Sequence, residues 1–276
     1  MNPFELEPTG VREARDGFER WGLWAFPLAF AILWLLSGTR LGGLLRVFFG
    51  MWLHELGHAL MAWGCGRWAV PLPWVTVAFE RSWLVSLVVF GGALTLAVWS
   101  ARRARLGLAV VAGVVLVAAA VGHLLSPRAQ QAVFAFGGDA GAMVLGAALA
   151  CGFLVRASHP LFREGLRLGW LVIGSASWAD ATRTWWTARW DVAEIPFGVE
   201  SFGFGGDGGG MPSDASRLVD ECGWDAHVMV TRFLVVAGLS LLGCAVAFVA
   251  ALRRERCAVS SASGDSGRSP PRRPRA

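Results

Sequence analysis

Long apolar stretches separated by short polar connections make up most of this sequence. We count about seven of them, each close to the roughly 20 residues that an α-helix needs to cross a bilayer. The first is short and the sixth is polar in its second half, so about six spans is the alternative count. The pattern predicts an all-α, polytopic bundle of transmembrane helices. The segments are 21–37, 41–63, 82–100, 106–125, 132–155, 166–188 and 227–252.

Three regions depart from the apolar pattern. Residues 1–20 form a polar N-terminal segment ahead of a membrane-embedded domain, which we place at 21–257. Inside that domain, residues 189–226 form an acidic, Gly-rich loop, whose stretch 202–210 suits either a mobile lid or a plain connector. Residues 258–276 are rich in Ser, Pro and Arg, a composition typical of a disordered tail.

The composition supports a membrane setting over a soluble one. Hydrophobic residues make up 55% of the chain and charged residues 16%, and the mean hydropathy is +0.50. A soluble domain of this size needs more charge on its surface. The net charge is +5 and its basic residues are all Arg, but they are spread over connections and the tail. This distribution argues against nucleic acid as a partner.

The arginines also predict an orientation. They cluster after the third, fifth and last apolar segments, and cytoplasmic connections are the ones enriched in basic residues. With seven spans, the N-terminus would lie outside and the C-terminus in the cytoplasm. The clusters are Arg102, Arg103 and Arg105; Arg156, Arg163 and Arg167; and Arg253, Arg254 and Arg256.

The motif HELGH at 54–58 carries the clearest chemistry in the chain. On a helix, His54 and His58 project from the same face, a spacing that lets two imidazoles bind one tetrahedral zinc ion. Glu55 stands beside them, where it can take a proton from water. The structural alternative is a pair of histidines satisfied by their neighbours. Because polar groups are costly inside an apolar segment, the metal site is the preferred interpretation.

A catalytic zinc ion needs a third protein ligand and an open position, and two aspartates compete for that role. Asp139 lies inside the fifth apolar segment, where an unpaired carboxylate would be expensive. Asp214 lies in PSDASRL at 212–218, where it could instead cap a helix. Asp180 is a weaker candidate. The remaining histidines, His123, His159 and His227, are better explained by positions near the membrane surface or in a loop.

Glycines at 43, 50, 57 and 64 recur every seventh residue along the second segment. Such a stripe allows a neighbouring helix to approach closely. The alternative is that Gly57 leaves room for a metal or substrate beside the histidines. Helix packing is the simpler of the two explanations.

Three stretches resemble the site-2 protease class of intramembrane zinc metallopeptidases, and more narrowly its M50B-like branch. They are HELGHAL at 54–60, GGDAGAMVLG at 137–146 and SDASRL at 213–218, and the resemblance covers roughly residues 40–250. It implies that His54 and His58 bind Zn²⁺ and that Glu55 is the general base and acid. It favours Asp214 as the third ligand, whereas burial in an apolar segment favours Asp139.

The resemblance further implies a multi-pass protein of the bacterial inner membrane that cuts membrane proteins or peptides within or next to their spans. The Asn-Pro…Leu-Asp-Gly signature of well-known members is absent. A catalytically inactive membrane scaffold that retains the metal-binding helix is therefore one alternative. Another is a small transporter with a polar path through His54, Glu55 and Asp139. The sequence leaves the oligomeric state open.

Overall fold

The computed structural model describes residues 9–155, 164–200 and 211–265. These residues are mostly helical, as the apolar pattern predicted. The helices are α1 (Thr9–Ser37), α2 (Arg40–Leu45), α3 (Met51–Gly64), α4 (Trp83–Arg102), α5 (Leu106–Leu124), α6 (Pro127–Cys151), α7 (Glu164–Ala188), α8 (Asp214–Ser216) and α9 (Ala226–Asp265). Four short strands complete the described elements: β1 (Arg67–Leu72), β2 (Val75–Arg81), β3 (Val199–Glu200) and β4 (Met211–Pro212).

Within these residues, four helices are long and apolar enough to cross a membrane, namely α4, α5, α6 and α9. The first two apolar segments of the sequence form a broken pair instead of two spans. Residues 22–37 and 40–64 are bent by 108° at the break, and counting them as one span raises the number to five. The six to seven spans expected from the sequence are therefore not confirmed.

The break between α1 and α2 has a local cause. Thr39 is the N-cap of α2, and its side chain accepts a hydrogen bond from the Gly42 backbone N–H. Gly42 lies so close to the end of α1 that a Cβ there would be 2.5 Å from the Leu36 carbonyl oxygen. A π-helical turn, Arg46–Gly50, then leads into α3.

Helix α6 lies at the centre of the bundle, with more than half of its span buried against about a sixth for α4 and α5 (56% against 17%). It packs antiparallel to α7 through small residues: Gly146 lies against Trp178, and Ala150 lies against Gly174. These close approaches explain why α6 is rich in Gly and Ala.

Helix α9 runs parallel to α6 and packs against both α6 and α7. Near the start of both helices, the rings of Phe136 and Phe233 lie 4.4 Å apart. Near the end of α6, the Sγ atoms of Cys151 and Cys244 lie 3.6 Å apart. Helix α9 continues through Asp265, beyond residue 258, where the sequence analysis placed the start of the tail. The rest of that tail, 266–276, lies outside the described residues, as do 1–8 of the N-terminal segment.

A hairpin of β1 and β2 follows α3, in a stretch to which the sequence analysis assigned no element. The strands are antiparallel, and the pair Leu72 and Val75 closes a connection of Pro73 and Trp74. Trp74 has φ 69°, a left-handed conformation that glycine usually occupies. The hairpin lies against α3 and so against the helix that carries HELGH.

The loop predicted at 189–226 has structure in its described part. Strands β3 and β4 pair antiparallel, and α8 leads into a π-helical turn, Arg217–Glu221. Near its end, the Glu221 carbonyl accepts from the Arg128 side chain at the start of α6. This segment therefore runs alongside α6 before α9 begins. Residues 201–210 lie outside the described residues, so the whole stretch 202–210 that was considered as a lid or a connector is not described.

Candidate metal centre

Glycines bring α3 and α6 into close contact at the HELGH motif. A Cβ on Gly57 would collide with the Gly137 carbonyl oxygen and lie 2.8 Å from the Gly141 Cα. The packing role of Gly57 is thus visible in the structure. Gly43 and Gly64 of the same predicted stripe face open space, so the stripe does not extend along the whole segment. The close contact between α3 and α6, which we call the seam, is instead formed by Gly57 and the glycine-rich stretch of α6 at Gly137 and Gly141.

The Nε2 atoms of both histidines face the same point, and each Nδ1 atom contacts an oxygen atom of α6. The two Nε2 atoms lie 3.1 Å apart. His58 Nδ1 lies 2.7 Å from the Phe134 carbonyl oxygen, and His54 Nδ1 lies 3.0 Å from Asp139 Oδ1. Both partners are acceptors, so in a neutral ring the hydrogen belongs on Nδ1, and Nε2 is the nitrogen left to bind a metal.

Asp214 reaches the same point from α8. Its Oδ2 atom lies 3.2 Å from His54 Nε2 and 3.0 Å from His58 Nε2. Ser213 precedes it as the N-cap of α8, where its side chain accepts from the Ser216 backbone N–H. The helix-capping role that the sequence analysis considered is therefore filled by Ser213, and the Asp214 carboxylate faces the histidines.

Two imidazole nitrogens and one carboxylate oxygen converge here, and with both rings neutral the three atoms can donate electron pairs to one cation. The three atoms form a triangle with sides of 3.0–3.2 Å. Two ligands at about 2.0–2.1 Å from one zinc ion in tetrahedral geometry lie about 3.3–3.4 Å apart. The observed sides are slightly shorter, so the residues present fit a zinc-sized ion after a small expansion. Among the described residues, the ligand atoms of His54, His58 and Asp214 lie close enough together that they could hold one metal ion.

Asp214 lies outside the spanning helices, and its pKa reflects this pairing. Burial raises the pKa of its carboxyl, but His58 and His54 outweigh that effect and hold the pKa below its ordinary value. The carboxylate is therefore the form present at neutral pH, as a metal ligand requires.

Asp139 is not one of the three residues whose ligand atoms converge; it contacts the opposite nitrogen of the His54 ring. One of its oxygens faces His54 Nδ1, and the other accepts a 2.8 Å hydrogen bond from the Trp185 indole N–H. Metal-binding histidines commonly donate their second nitrogen to such a carboxylate, which fixes the ring orientation. The residue that burial favoured therefore contacts His54 from outside the group formed by His54, His58 and Asp214.

Glu55 is buried, with 4% of its surface exposed, and it faces the hairpin. The Thr76 hydroxyl of β2 lies 2.7 Å from Glu55 Oε2 and 2.8 Å from the Glu55 carbonyl oxygen. No hydrogen bond from a described residue reaches the other carboxylate oxygen. The hairpin therefore orients the carboxylate while one oxygen stays available.

The other residues considered from the sequence lie elsewhere. Asp180 of α7 pairs with Arg46 at 3.6 Å. His123 lies at the end of α5, and its Nε2 atom is 2.7 Å from the Ser86 hydroxyl of α4. His227 opens α9, away from the triangle. His159 lies outside the described residues.

Three residues that contact the site were not predicted from the sequence to do so. Gly138 forms its wall, since a Cβ there would lie 2.5 Å from His54 Nε2 and 2.6 Å from His58 Nε2. Thr76 could have been found from the hairpin pattern, two runs with β-branched residues around a Pro-containing turn. Trp185 has no local signal, because only the packing of α7 on α6 brings it to Asp139.

The site lies deep within the bundle. Asp139 is at the middle of the 25-residue α6, a helix about 37 Å long.

No protein-family model, no curated protein and no solved structure matches this chain.

Proposed function

We propose that this chain is a zinc-dependent intramembrane endopeptidase of the site-2 protease type, acting on membrane proteins or peptides. The observation that carries the proposal is the convergence of His54 Nε2, His58 Nε2 and Asp214 Oδ2 within 3.2 Å of one another. Each atom is an electron-pair donor, and each histidine has its other nitrogen satisfied. Three ligands with an open fourth position are typical of catalytic zinc, whereas structural zinc is usually fully enclosed by protein.

The surroundings support hydrolysis over a purely structural role. A zinc ion held by these residues would supply the Lewis acid that peptide-bond hydrolysis requires. Glu55 takes a proton from the attacking water through its available oxygen and delivers it to the leaving amine. Thr76 holds the carboxylate in place, and Asp139 keeps the His54 ring in the orientation that presents Nε2.

The depth of the site fits a substrate that lies in the membrane. A substrate helix hides its scissile carbonyl in backbone hydrogen bonds, so it must unwind locally before attack. The apolar spans and Arg-bearing connections support a multi-pass protein, and we assign it to a bacterial inner membrane on the resemblance described above.

The test is the metal content and activity of the purified chain. We expect about one zinc per chain in the wild type, and its loss in His54→Ala and Asp214→Asn. Asp220→Asn, the same change six residues along at an exposed position of the π-helical turn, should keep the metal. Glu55→Gln should retain zinc but stop cleavage of a library of transmembrane peptides reconstituted with the protein.

The outcomes separate this proposal from its alternatives. A wild type that is purified without chelator and holds no zinc or other transition metal would contradict the metalloprotease. Stoichiometric zinc without cleavage of any library peptide would favour the inactive scaffold. Proton or cation flux into vesicles, abolished by Asp139→Asn and independent of zinc, would favour the transporter.

A further inference from the structure

A second candidate site lies on the outer face of the bundle, between the end of α7 and the start of α9. It is a cleft of about 370 Å³, within the range of ligand-binding sites of roughly 300–1,000 Å³. Its walls are Arg189, His227, Val230, Thr231, Leu234 and Val235. The metal centre shares none of these residues.

The cleft changes from polar to apolar along one face of α9. Positions 227, 231, 234 and 235 follow helical spacing and share that face. His227 lies in the first turn, whereas Leu234 and Val235 lie about 10–12 Å further into the membrane-spanning part. Thr231 lies between them, and its hydroxyl already donates to the His227 carbonyl. The polar-to-apolar order matches that of a phospholipid, headgroup first and acyl chain after.

Arg189 supplies the positive charge at the polar end. Its guanidinium lies 3.9 Å from the centre of the Trp186 ring and 4.2 Å from that of Trp190, so two aromatic faces hold it in place. No carboxylate of the described residues lies within ion-pair distance of it. The tryptophans are partly exposed at the same level, as residues at a membrane surface are.

The first turn of α9 does not itself serve as the anion site. Asp225 caps it, and its Oδ1 atom accepts from the Val228 backbone N–H at 3.0 Å. An anion would therefore meet the Arg189 guanidinium and the His227 imidazole. Arginine is suited to this role because its planar group donates two hydrogen bonds to one phosphate.

We propose that this cleft binds one anionic phospholipid, with its phosphate on Arg189 and an acyl chain along Val230, Leu234 and Val235. This proposal goes beyond the protease function and needs only the membrane setting. The inner side of the same helix pair leads to the metal centre, since Trp185 stacks on Phe233 at 3.9 Å and donates to Asp139.

The test is native mass spectrometry of the full-length protein as purified in detergent, titrated with phosphatidylglycerol or with phosphatidylcholine of the same acyl chains. We expect one phosphatidylglycerol to be retained about tenfold more tightly than phosphatidylcholine, and Arg189→Gln to abolish that difference. Arg232→Gln is the matched control. Arg232 stacks on Trp224 at 4.1 Å near the start of α9 but does not line the cleft.

A second pair of variants tests the acyl-chain half. Val235→Trp should fill the cleft and lower retention of the lipid about tenfold with all charges intact, whereas Leu239→Trp, one turn further along and outside the cleft, should not. Zinc content and thermal unfolding should match the wild type in all four variants. Equal losses in Arg189→Gln and Arg232→Gln would overturn the proposal, as would displacement of the lipid by an equal concentration of soluble glycerol phosphate.

Discussion

Asp139 and Asp180 are both acidic residues inside the helix bundle, but only Asp139 contacts a histidine. We expect Asp139→Asn to keep the fold and to weaken zinc binding by about 10- to 100-fold, the usual effect of losing a partner of a metal ligand. Asparagine has an NH2 donor in place of one carboxylate oxygen, so that group would face either His54 Nδ1 or the Trp185 indole N–H, both of which Asp139 accepts from. Competition with a chromogenic chelator measures the change.

Asp180→Asn is the control for that experiment. It removes a partly exposed pair with Arg46, and such pairs contribute little, so zinc affinity should change by less than about fivefold. Equal losses in the two variants would mean that general negative charge, and not the hydrogen bond to His54, supports the site.

Gly138 makes a sharper prediction, because the structure leaves no space for a side chain beside the metal ligands. A Cβ at Gly138 would lie 2.5 Å from His54 Nε2 and 2.6 Å from His58 Nε2, and hydrogen bonds at Nδ1 prevent either ring from retreating. We expect Gly138→Ala to lose bound zinc while the helices still form. Gly113→Ala on α5, where nothing lies within 4 Å, should keep it. A Gly138→Ala protein that keeps the zinc content of the wild type would contradict the close approach of Gly138 to the two Nε2 atoms.

The sequence could nominate candidate ligands because their spacing is local. His54, Glu55 and His58 follow from helical spacing alone, and the burial cost of a carboxylate drew attention to Asp139, which contacts His54 in the structure. The partner of Asp139 could not be predicted in this way, because a buried carboxylate needs a polar partner but its burial cost does not specify which one. Asp214 was separated from a plain helix cap only by three-dimensional geometry: Ser213 supplies the cap, and Asp214 faces the histidines.

At the scale of elements, the seam between α3 and α6 positions the site. A Cβ on Gly57 would overlap the Gly137 carbonyl and press on Gly141. Gly57→Ala should therefore force the helices apart and lower the free energy of unfolding by about 1–3 kcal/mol, although alanine favours an isolated helix. Thermal unfolding in detergent measures the effect. Gly64→Ala, on the same helix but facing open space, should unfold at or above the wild-type temperature.

The elements that the sequence analysis found and missed differ in physical origin. Long apolar helices carry a strong signal, because every residue of a span contributes to it. The hairpin of β1 and β2 is short, and its strands begin and end in Arg67 and Arg81, so its pattern is weak. Its turn is also atypical, with Trp74 where glycine is usual. The bend after Ser37 depends on the Thr39 cap and on the close approach of Gly42 to α1, which a count of apolar residues cannot reveal.

At the scale of the whole molecule, α7 decides the number of crossings. It has 25 residues and packs antiparallel to α6, yet it is not among the helices apolar enough to span on composition. Its charged and polar residues explain the difference, and they face other parts of the bundle. Asp180 pairs with Arg46 and Arg183 donates to the Trp34 carbonyl. Ser175, Ser177 and Thr182 are buried. A helix whose polar side chains face its neighbours can cross a bilayer at low mean hydropathy.

We therefore expect α7 to cross, and cysteine labelling with a membrane-impermeant maleimide tests this. In a background without the other native cysteines, Ala104→Cys and native Cys257 should react from one side, because α5, α6, α7 and α9 lie between them. Trp190→Cys, at the end of α7, should react from the opposite side. If Trp190→Cys and Ala104→Cys react from the same side, α7 does not cross. The arginines near positions 104 and 257 place that shared side in the cytoplasm, so intact cells should protect both positions from the reagent.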